Sequence, residues 1–310
     1  MAFSFLDTLA PILTGCRAGL CSTPQNPKLA KEDIVLLSFY PIILELRITM
    51  VHPPMEGQNM KPGLKEDFIQ RWSKYFPGVE LPIAFYYTDD AGQAPVHRIT
   101  EGQHCFVNDL AAIRQGRALS FDTKSIACFG GKRYLGFSQN LMPNFEYFLS
   151  CGIPGKLEGE RYKKSPELVK ELLKTGPTFT APAKYIVFKR WDALEEADQP
   201  QVVIFFAPPD VLSGLYTLAN YDEPTNEAVF CPMGAGCGTI VQYPLIECQS
   251  SRPRAVLGMF DVSARQGVEP ACLTFSIPIQ KFERMVSNMD ESFLITGSWE
   301  KIKSRLQQSR

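Results

Sequence analysis

Short apolar runs typical of β-strands alternate with helical segments along this 310-residue chain, and the alternation limits the possible fold more than any other feature. Runs rich in β-branched and aromatic residues predict strands around Phe85 and Phe121, and again at residues 202–206 and 255–260. Apolar spacing and end signals predict helices at residues 64–76, 105–114 and 210–218, one beginning at Ser165, and a last one anchored by Trp299. This order predicts an α+β (mixed α/β) fold packed around a mixed sheet.

The alternation occurs twice along the chain. Phe85 and Phe205 lie 120 residues apart in corresponding predicted strands, and Pro154 and Pro278 close the two passes. Matching offsets favour a structural duplication, but any α+β chain shows some alternation of this kind, so both interpretations remain open. If the duplication is real, the halves face each other across a cleft, and such interfaces are favoured ligand sites.

The domain organisation follows from the same pattern. We predict an N-terminal extension at residues 1–61, a first α+β half at residues 62–156, and a second half at residues 157–310 that includes the C-terminal helix. The two halves together are expected to form one compact unit.

The extension contains Leu13-Thr14-Gly15-Cys16, which has the form of a bacterial lipoprotein cleavage box. No Lys or Arg precedes Arg17, and Asp7 interrupts the apolar stretch, whereas a signal peptide needs a positive start and a continuous apolar stretch. We therefore predict a cytoplasmic protein, with a lipoprotein anchored at Cys16 as the alternative. The longest uncharged apolar run, residues 34–44, is shorter than the about 20 residues of a spanning helix, so no membrane span is predicted.

The composition excludes several kinds of partner and site. A net charge of −1 without a basic half gives no electrostatic support for nucleic-acid binding. Only three histidines occur, which argues against a metal centre built from several imidazoles. The nine cysteines are odd in number and have no repeating spacing, so we interpret most of them as reduced thiols rather than a disulfide framework.

Four of these cysteines lie in glycine-rich surroundings and are the best candidates for a binding site. Thiolates are strong ligands for soft metals, and glycine lets backbone N–H groups approach a ligand closely. The proposed metal ligands are Cys105, Cys128, Cys231 and Cys237, with cluster sulfides accepting hydrogen bonds from Gly130, Gly131, Gly234 and Gly236. We therefore predict an iron–sulfur cluster or another metal–thiolate centre with a redox role, formed by ligands that converge from distant segments.

Two other kinds of chemistry remain open. Gly130-Gly131-Lys132-Arg133 could begin a helix that offers N–H groups and two cations to an anionic ligand, which would make this a non-catalytic small-molecule-binding protein without metal. One cysteine could instead act as a nucleophile or redox centre, although His104 beside Cys105 would point about 100° away on a helix. No motif in the sequence assigns a catalytic residue, so whether this is an enzyme stays open.

Several short motifs occur in an order that resembles the family known as domain of unknown function 169, over roughly residues 63–290. The motifs are Ala127-Cys128-Phe129-Gly130-Gly131, Leu135-Gly136-Phe137, Val202-Val203-Ile204-Phe205-Phe206 followed by Pro208-Pro209, Gly234-Ala235-Gly236-Cys237, and Phe275-Ser276-Ile277-Pro278. Where the family often has Cys-Pro-Gly, this chain has Cys128-Phe129-Gly130, which keeps the thiol and the glycine but alters the turn.

The resemblance implies an origin among archaea and anaerobic bacteria but no particular reaction. Combined with the cysteines, it leads us to expect a role in anaerobic metabolism with a small molecule or an electron-transfer partner, and no nucleic acid.

Overall fold

The apolar runs of the sequence form a single seven-stranded sheet. We describe a computed structural model of the protein at residues 60–92, 94–99 and 105–308; the predicted extension up to residue 59, with Cys16, and also His104 lie outside these ranges. The strands are β1 Ile83–Thr88, β2 Leu119–Phe121, β3 Tyr185–Arg190, β4 Val202–Ala207, β5 Val229–Phe230, β6 Ala255–Gly258 and β7 Leu273–Pro278.

Nine α-helices lie in the described ranges, and those predicted at residues 64–76, 105–114 and 210–218, after Ser165 and around Trp299 are found close to those positions. They are α1 Leu64–Tyr75, α2 Phe106–Arg114, α3 Phe129–Tyr134, α4 Phe145–Phe148, α5 Pro166–Thr175, α6 Pro209–Asn220, α7 Tyr243–Glu247, α8 Ile279–Asn288 and α9 Gly297–Gln308. A π-helical turn, Gly238–Gln242, leads directly into α7. Ser165 caps α5 by accepting a hydrogen bond from the Leu168 N–H, with proline at the first helical position, as predicted.

The sheet has the strand order β2-β3-β1-β4-β7-β6-β5 and is antiparallel except for the β5–β6 pair. Hence the predicted α+β fold with a mixed sheet is confirmed. The predicted boundary between residues 156 and 157 does not divide the sheet, because β3 lies between β1 and β2. All described residues belong to one compact unit, Arg47–Arg310.

The order of the strands is symmetric about the central β1–β4 pair, since β3 and β2 follow on one side and β7 and β6 on the other. The helices do not share this symmetry: α2, after β1, and α6, after β4, pack on opposite faces of the sheet. A duplication therefore stays a prediction that the strands favour and the helices do not.

Strand β4 explains how one sheet supports two cores. All six of its residues are buried, with Val203 and Phe205 facing one core and Val202 and Ile204 facing the other. A strand that is buried on both faces reads as a continuous apolar run, which is what the sequence shows at residues 202–206.

We call the two sides of the sheet the packed face and the pocket face. The packed face is covered by α1, α6, α8 and α9, and its aromatic side chains fill the space between helices and sheet. The pocket face is covered by α2, the π-helical turn and α7. The long connection from β2 to β3, which contains α3, α4 and α5, passes over this second face and leaves a cavity beneath it.

Candidate functional site

The cavity on the pocket face has a volume of about 500 Å³, within the range typical of small-molecule sites. One side, which we call the thiol wall, consists of Cys105, Cys128 and Cys237, from three segments that are distant in sequence. A second set of lining residues, which we call the apolar wall, comes from the β2–β3 connection, as Cys128 does. It consists of Leu141, Met142, Phe145, Phe148, Leu149, Leu172 and Leu173.

Cys105 lies at the N-cap of α2 in an extended conformation and is half-buried. Its backbone carbonyl accepts a hydrogen bond from the Asn108 N–H at 3.0 Å, and the residue lines the cavity. Burial raises the pKa of this thiol, and the nearby Cys128 thiol raises it further.

Cys128 occupies the corresponding N-cap position of α3, and its Sγ accepts a hydrogen bond from the Gly131 N–H at 3.1 Å. A Cβ at Gly131 would lie 2.9 Å from this sulfur and 2.8 Å from Cγ2 of Ile126, so only glycine fits here without displacing the thiol. By contrast, a Cβ at Gly130 would meet nothing within 4 Å.

Cys237 lies just before the π-helical turn and is the most buried of the three thiols, with 8% of its surface exposed. Burial raises its pKa well above the usual value, and the thiols of Cys128 and Cys105 add to this effect. The Cys128 thiol is therefore close enough to Cys105 and Cys237 to disfavour the ionisation of those two thiols. Because the three cysteines are distant in sequence, it is the tertiary fold that brings them close together.

The other predicted site residues differ in whether they line the cavity and whether their polar groups already have partners within the protein. Cys231 is exposed and does not line the cavity, and neither does Lys132. Arg133 lines the cavity, but its guanidinium donates to the Gln139 carbonyl at 2.9 Å. Gly234 and Gly236 line the cavity too, and the Gly236 N–H is already bonded to Asp261 Oδ2 at 3.1 Å.

Asp261 is a site residue that sequence reasoning missed. Its Oδ1 accepts hydrogen bonds from the Tyr162 hydroxyl at 3.0 Å and the Ser263 hydroxyl at 2.7 Å. Together with the bond from Gly236, these contacts tie the β2–β3 connection to the glycine-rich loop. Met259, two residues earlier, is buried with φ at +73°, an unusual conformation for a non-glycine residue. The only sequence signal was a polar residue directly after a predicted strand.

Two tyrosines at the same end of the cavity were also missed. Burial, and then the Cys237 thiol, raise the pKa of Tyr134 to about 12. Burial likewise raises the pKa of Tyr243. Neither hydroxyl forms a hydrogen bond with the described part of the chain. Aromatic residues in apolar surroundings give no sequence signal that separates a site residue from a core residue.

A cavity of about 10 Å³ lies on the other side of Cys105 and is lined by His97 and Asp109. His97 Nε2 lies 3.5 Å from Asp109 Oδ1. Burial raises the pKa of Asp109 to about 6, although the neighbouring His97 lowers it. This pair supplies a histidine near the thiol wall that sequence adjacency did not reveal.

Among residues 60–92, 94–99 and 105–308, no three or more His, Cys, Asp or Glu side chains form a group that could hold a metal ion as they stand. All seven cysteines of these ranges have free thiols. None of the helices described above has both the length and the apolar character needed to span a membrane.

Comparison with known proteins gives one match. The model of the DUF169 family, described as uncharacterised ArCR, matches residues 79–288. No curated protein and no solved structure matches the chain. The matched region contains every residue of both cavity walls and covers well over half of the 310 residues. This protein therefore belongs to the DUF169 family, as its motifs suggested.

Proposed function

We propose that this protein binds a metal–thiolate centre, best suited to an iron–sulfur cluster, and uses it in a redox role. The observation that carries the proposal is the thiol wall: three cysteines from distant segments line one side of a single cavity. Free cysteines are often buried in cores, but three that share one cavity with glycine-rich backbone are typical of soft-metal sites.

The surroundings of Cys128 suit a metal-bound thiolate. Backbone N–H groups that donate to ligand sulfur stabilise the anionic form and tune the reduction potential. The bond from the Gly131 N–H to Cys128 Sγ, at 3.1 Å, is of this kind. When bound, the centre would supply a one-electron carrier, and the partner would be a small molecule in the cavity or an electron-transfer protein.

Metal loading would have to overcome two features of the thiol wall. The pKa values of Cys105 and Cys237 are raised, so these thiols must lose protons when they bind metal, and loading should therefore increase with pH. The three thiols must also move closer together around the centre, because they do not form a ready metal site. The free thiols of the described cysteines support a reducing, cytoplasmic location.

The alternative of a metal-free site for an anionic ligand has less support. Helix α3 has only six residues, its Gly131 N–H is bonded to Cys128, and the Arg133 guanidinium is bonded to Gln139. Two of the groups that would bind an anion are therefore already used within the protein, and Lys132 does not line the cavity.

Anaerobic reconstitution with ferrous iron and sulfide tests the proposal. We expect bound iron and sulfide with broad visible absorption. Cys128→Ala should lower the iron content by at least about tenfold, because it removes a ligand. Cys151→Ala, which changes an exposed cysteine outside the cavity, is the matched control and should retain full loading.

Cys231→Ala separates two versions of the same proposal. Full loading of this variant would show that Cys231 is not a ligand, in agreement with its exposed position. A colourless wild-type protein that contains no iron after reconstitution would contradict the proposal altogether.

A further inference from the structure

We infer that the cavity also binds an organic molecule with a largely apolar body and a hydrogen-bond-accepting group such as a carbonyl. This inference extends the proposed function, since it adds an organic ligand to the site proposed for the metal centre. Three features of the cavity carry it: the composition of the apolar wall, two hydroxyls without partners, and the balance of charge.

The apolar wall is unusual because its side chains belong to neither hydrophobic core. Leu141, Met142, Phe145, Phe148, Leu149, Leu172 and Leu173 all line the cavity, and none of them packs in the core of either face. Apolar side chains gain stability when they leave water, so an apolar body that lies against this wall would bind favourably.

The cavity also offers hydrogen-bond donors beside the glycine-rich loop. The hydroxyls of Tyr134 and Tyr243 form no hydrogen bond within the described residues, whereas Tyr87 donates to the Leu135 carbonyl at 2.8 Å and Tyr162 donates to Asp261. Most buried tyrosine hydroxyls have a partner. Both tyrosines are only partly buried and neither hydroxyl is enclosed, so each is open to an acceptor group of a ligand in the cavity.

The charges that line the cavity favour a neutral ligand. Two cations, Arg133 and Lys163, are balanced by two carboxylates, Glu160 and Asp261. Arg133 and Asp261 already form hydrogen bonds within the protein. A ligand with a formal charge would therefore gain little, while an apolar body would remove the wall from water.

The test uses the full-length, metal-free protein and the fluorescent probe 6-propionyl-2-(dimethylamino)naphthalene, which has an apolar body and a carbonyl group. We expect saturable binding with a blue-shifted emission. Leu173→Asn should weaken binding by at least about tenfold, because it places an amide on the apolar wall. Leu168→Asn, at an exposed leucine of the same helix that does not line the cavity, is the control and should change binding by less than about twofold.

Tyr134→Phe tests the hydrogen bond. It should weaken binding of the probe by about fivefold, the value of a typical hydrogen bond, and leave binding of 2-(dimethylamino)naphthalene, which has no carbonyl, unchanged. A thermal melt of each variant establishes that it is folded.

Two results would overturn the inference: no saturable binding, which would mean that water alone fills the cavity, or equal binding to all variants, which would mean adventitious surface binding. The iron assay and the probe assay test separate proposals, so either one can fail without the other. Probe binding without iron loading would leave this inference standing and remove the metal centre, and iron loading without probe binding would do the reverse.

Discussion

The two faces of the sheet are built on the same strands but differ in packing, since one is filled and the other contains a cavity. On the packed face, Phe68 lies 5.4 Å from Trp72, 5.5 Å from Trp191 and 4.9 Å from Phe282 between ring centroids, so aromatic rings fill the space. On the pocket face a core lies beneath α2, the π-helical turn and α7, but a cavity of about 500 Å³ remains under the β2–β3 connection.

This difference shows where stability and binding are located. A filled aromatic core gains dispersion and burial energy but leaves no room for a ligand. The incomplete packing of the pocket face reduces the gain in dispersion and burial energy there, and it leaves the thiol wall open to the cavity. The packed face therefore supplies stability that the pocket face, with its open cavity, lacks.

The most direct way to break the comparison is to remove the same side chain from each face. Phe282→Ala should lower the free energy of unfolding by about 4 kcal/mol, because Phe282 is buried against Phe68 and Trp191. Phe148→Ala, on the half-buried apolar wall, should cost at most about 1 kcal/mol. Urea unfolding of both variants measures the difference, and equal losses would show that the pocket face is as tightly packed as the other.

An ion cluster at the edge of the packed face should give the next largest effect. Burial opposes the charged form of Glu223, but hydrogen bonds from Lys281, Arg252 and Arg284 outweigh it and lower its pKa to about 2. Lys281 Nζ, on a fully buried side chain, lies 2.7 Å from Glu223 Oε1. Glu223→Gln should therefore cost about 2 kcal/mol at neutral pH, since a buried ammonium loses its counter-charge.

The contribution of Glu223 to stability should depend on pH, and its lowered pKa gives the direction of that dependence. A depressed carboxyl pKa contributes stability that is present above the usual value of 4.5 and is lost as the pH falls through about 2. The difference between wild type and Glu223→Gln in unfolding free energy should therefore shrink as the pH is lowered towards 2. A difference that stays constant with pH would show that packing, not charge, holds Glu223.

The smallest effect sharpens the comparison inside the pocket face, where two adjacent glycines differ. Gly131→Ala places a Cβ 2.9 Å from Cys128 Sγ and should cost about 1 kcal/mol, because crowding outweighs the better helix propensity of alanine. Gly130→Ala, with open space at its Cβ, should be neutral or slightly stabilising. Thermal unfolding measures both, and faster alkylation of Cys128 in Gly131→Ala alone would show that the thiol has moved.

The elements of the fold were largely predictable from sequence. Three predicted helices are confirmed: α1, which its apolar spacing predicted, α5, which its Ser165 cap predicted, and α9, which Trp299 predicted. These signals are local, since a cap or an amphipathic face depends on neighbours within one or two turns. The faces of the sheet were not predictable, because a buried apolar run does not reveal what covers each side.

The candidate site was predictable only in part. Three of the four proposed cysteines line the cavity, while Cys231, close in sequence to Cys237, is exposed. Asp261 and Tyr134 were missed because an acidic residue after a strand and a tyrosine in an apolar segment usually have structural roles.

By itself the sequence determined the positions of most strands and helices, because these follow from short-range periodicity. Strand β3 and helices α4 and α8 were not predicted. The tertiary structure decided that thiols at positions 105, 128 and 237 share one cavity with the apolar wall. Such distances depend on how strands pair and which face a connection crosses, and neither is encoded in the spacing of residues along the chain.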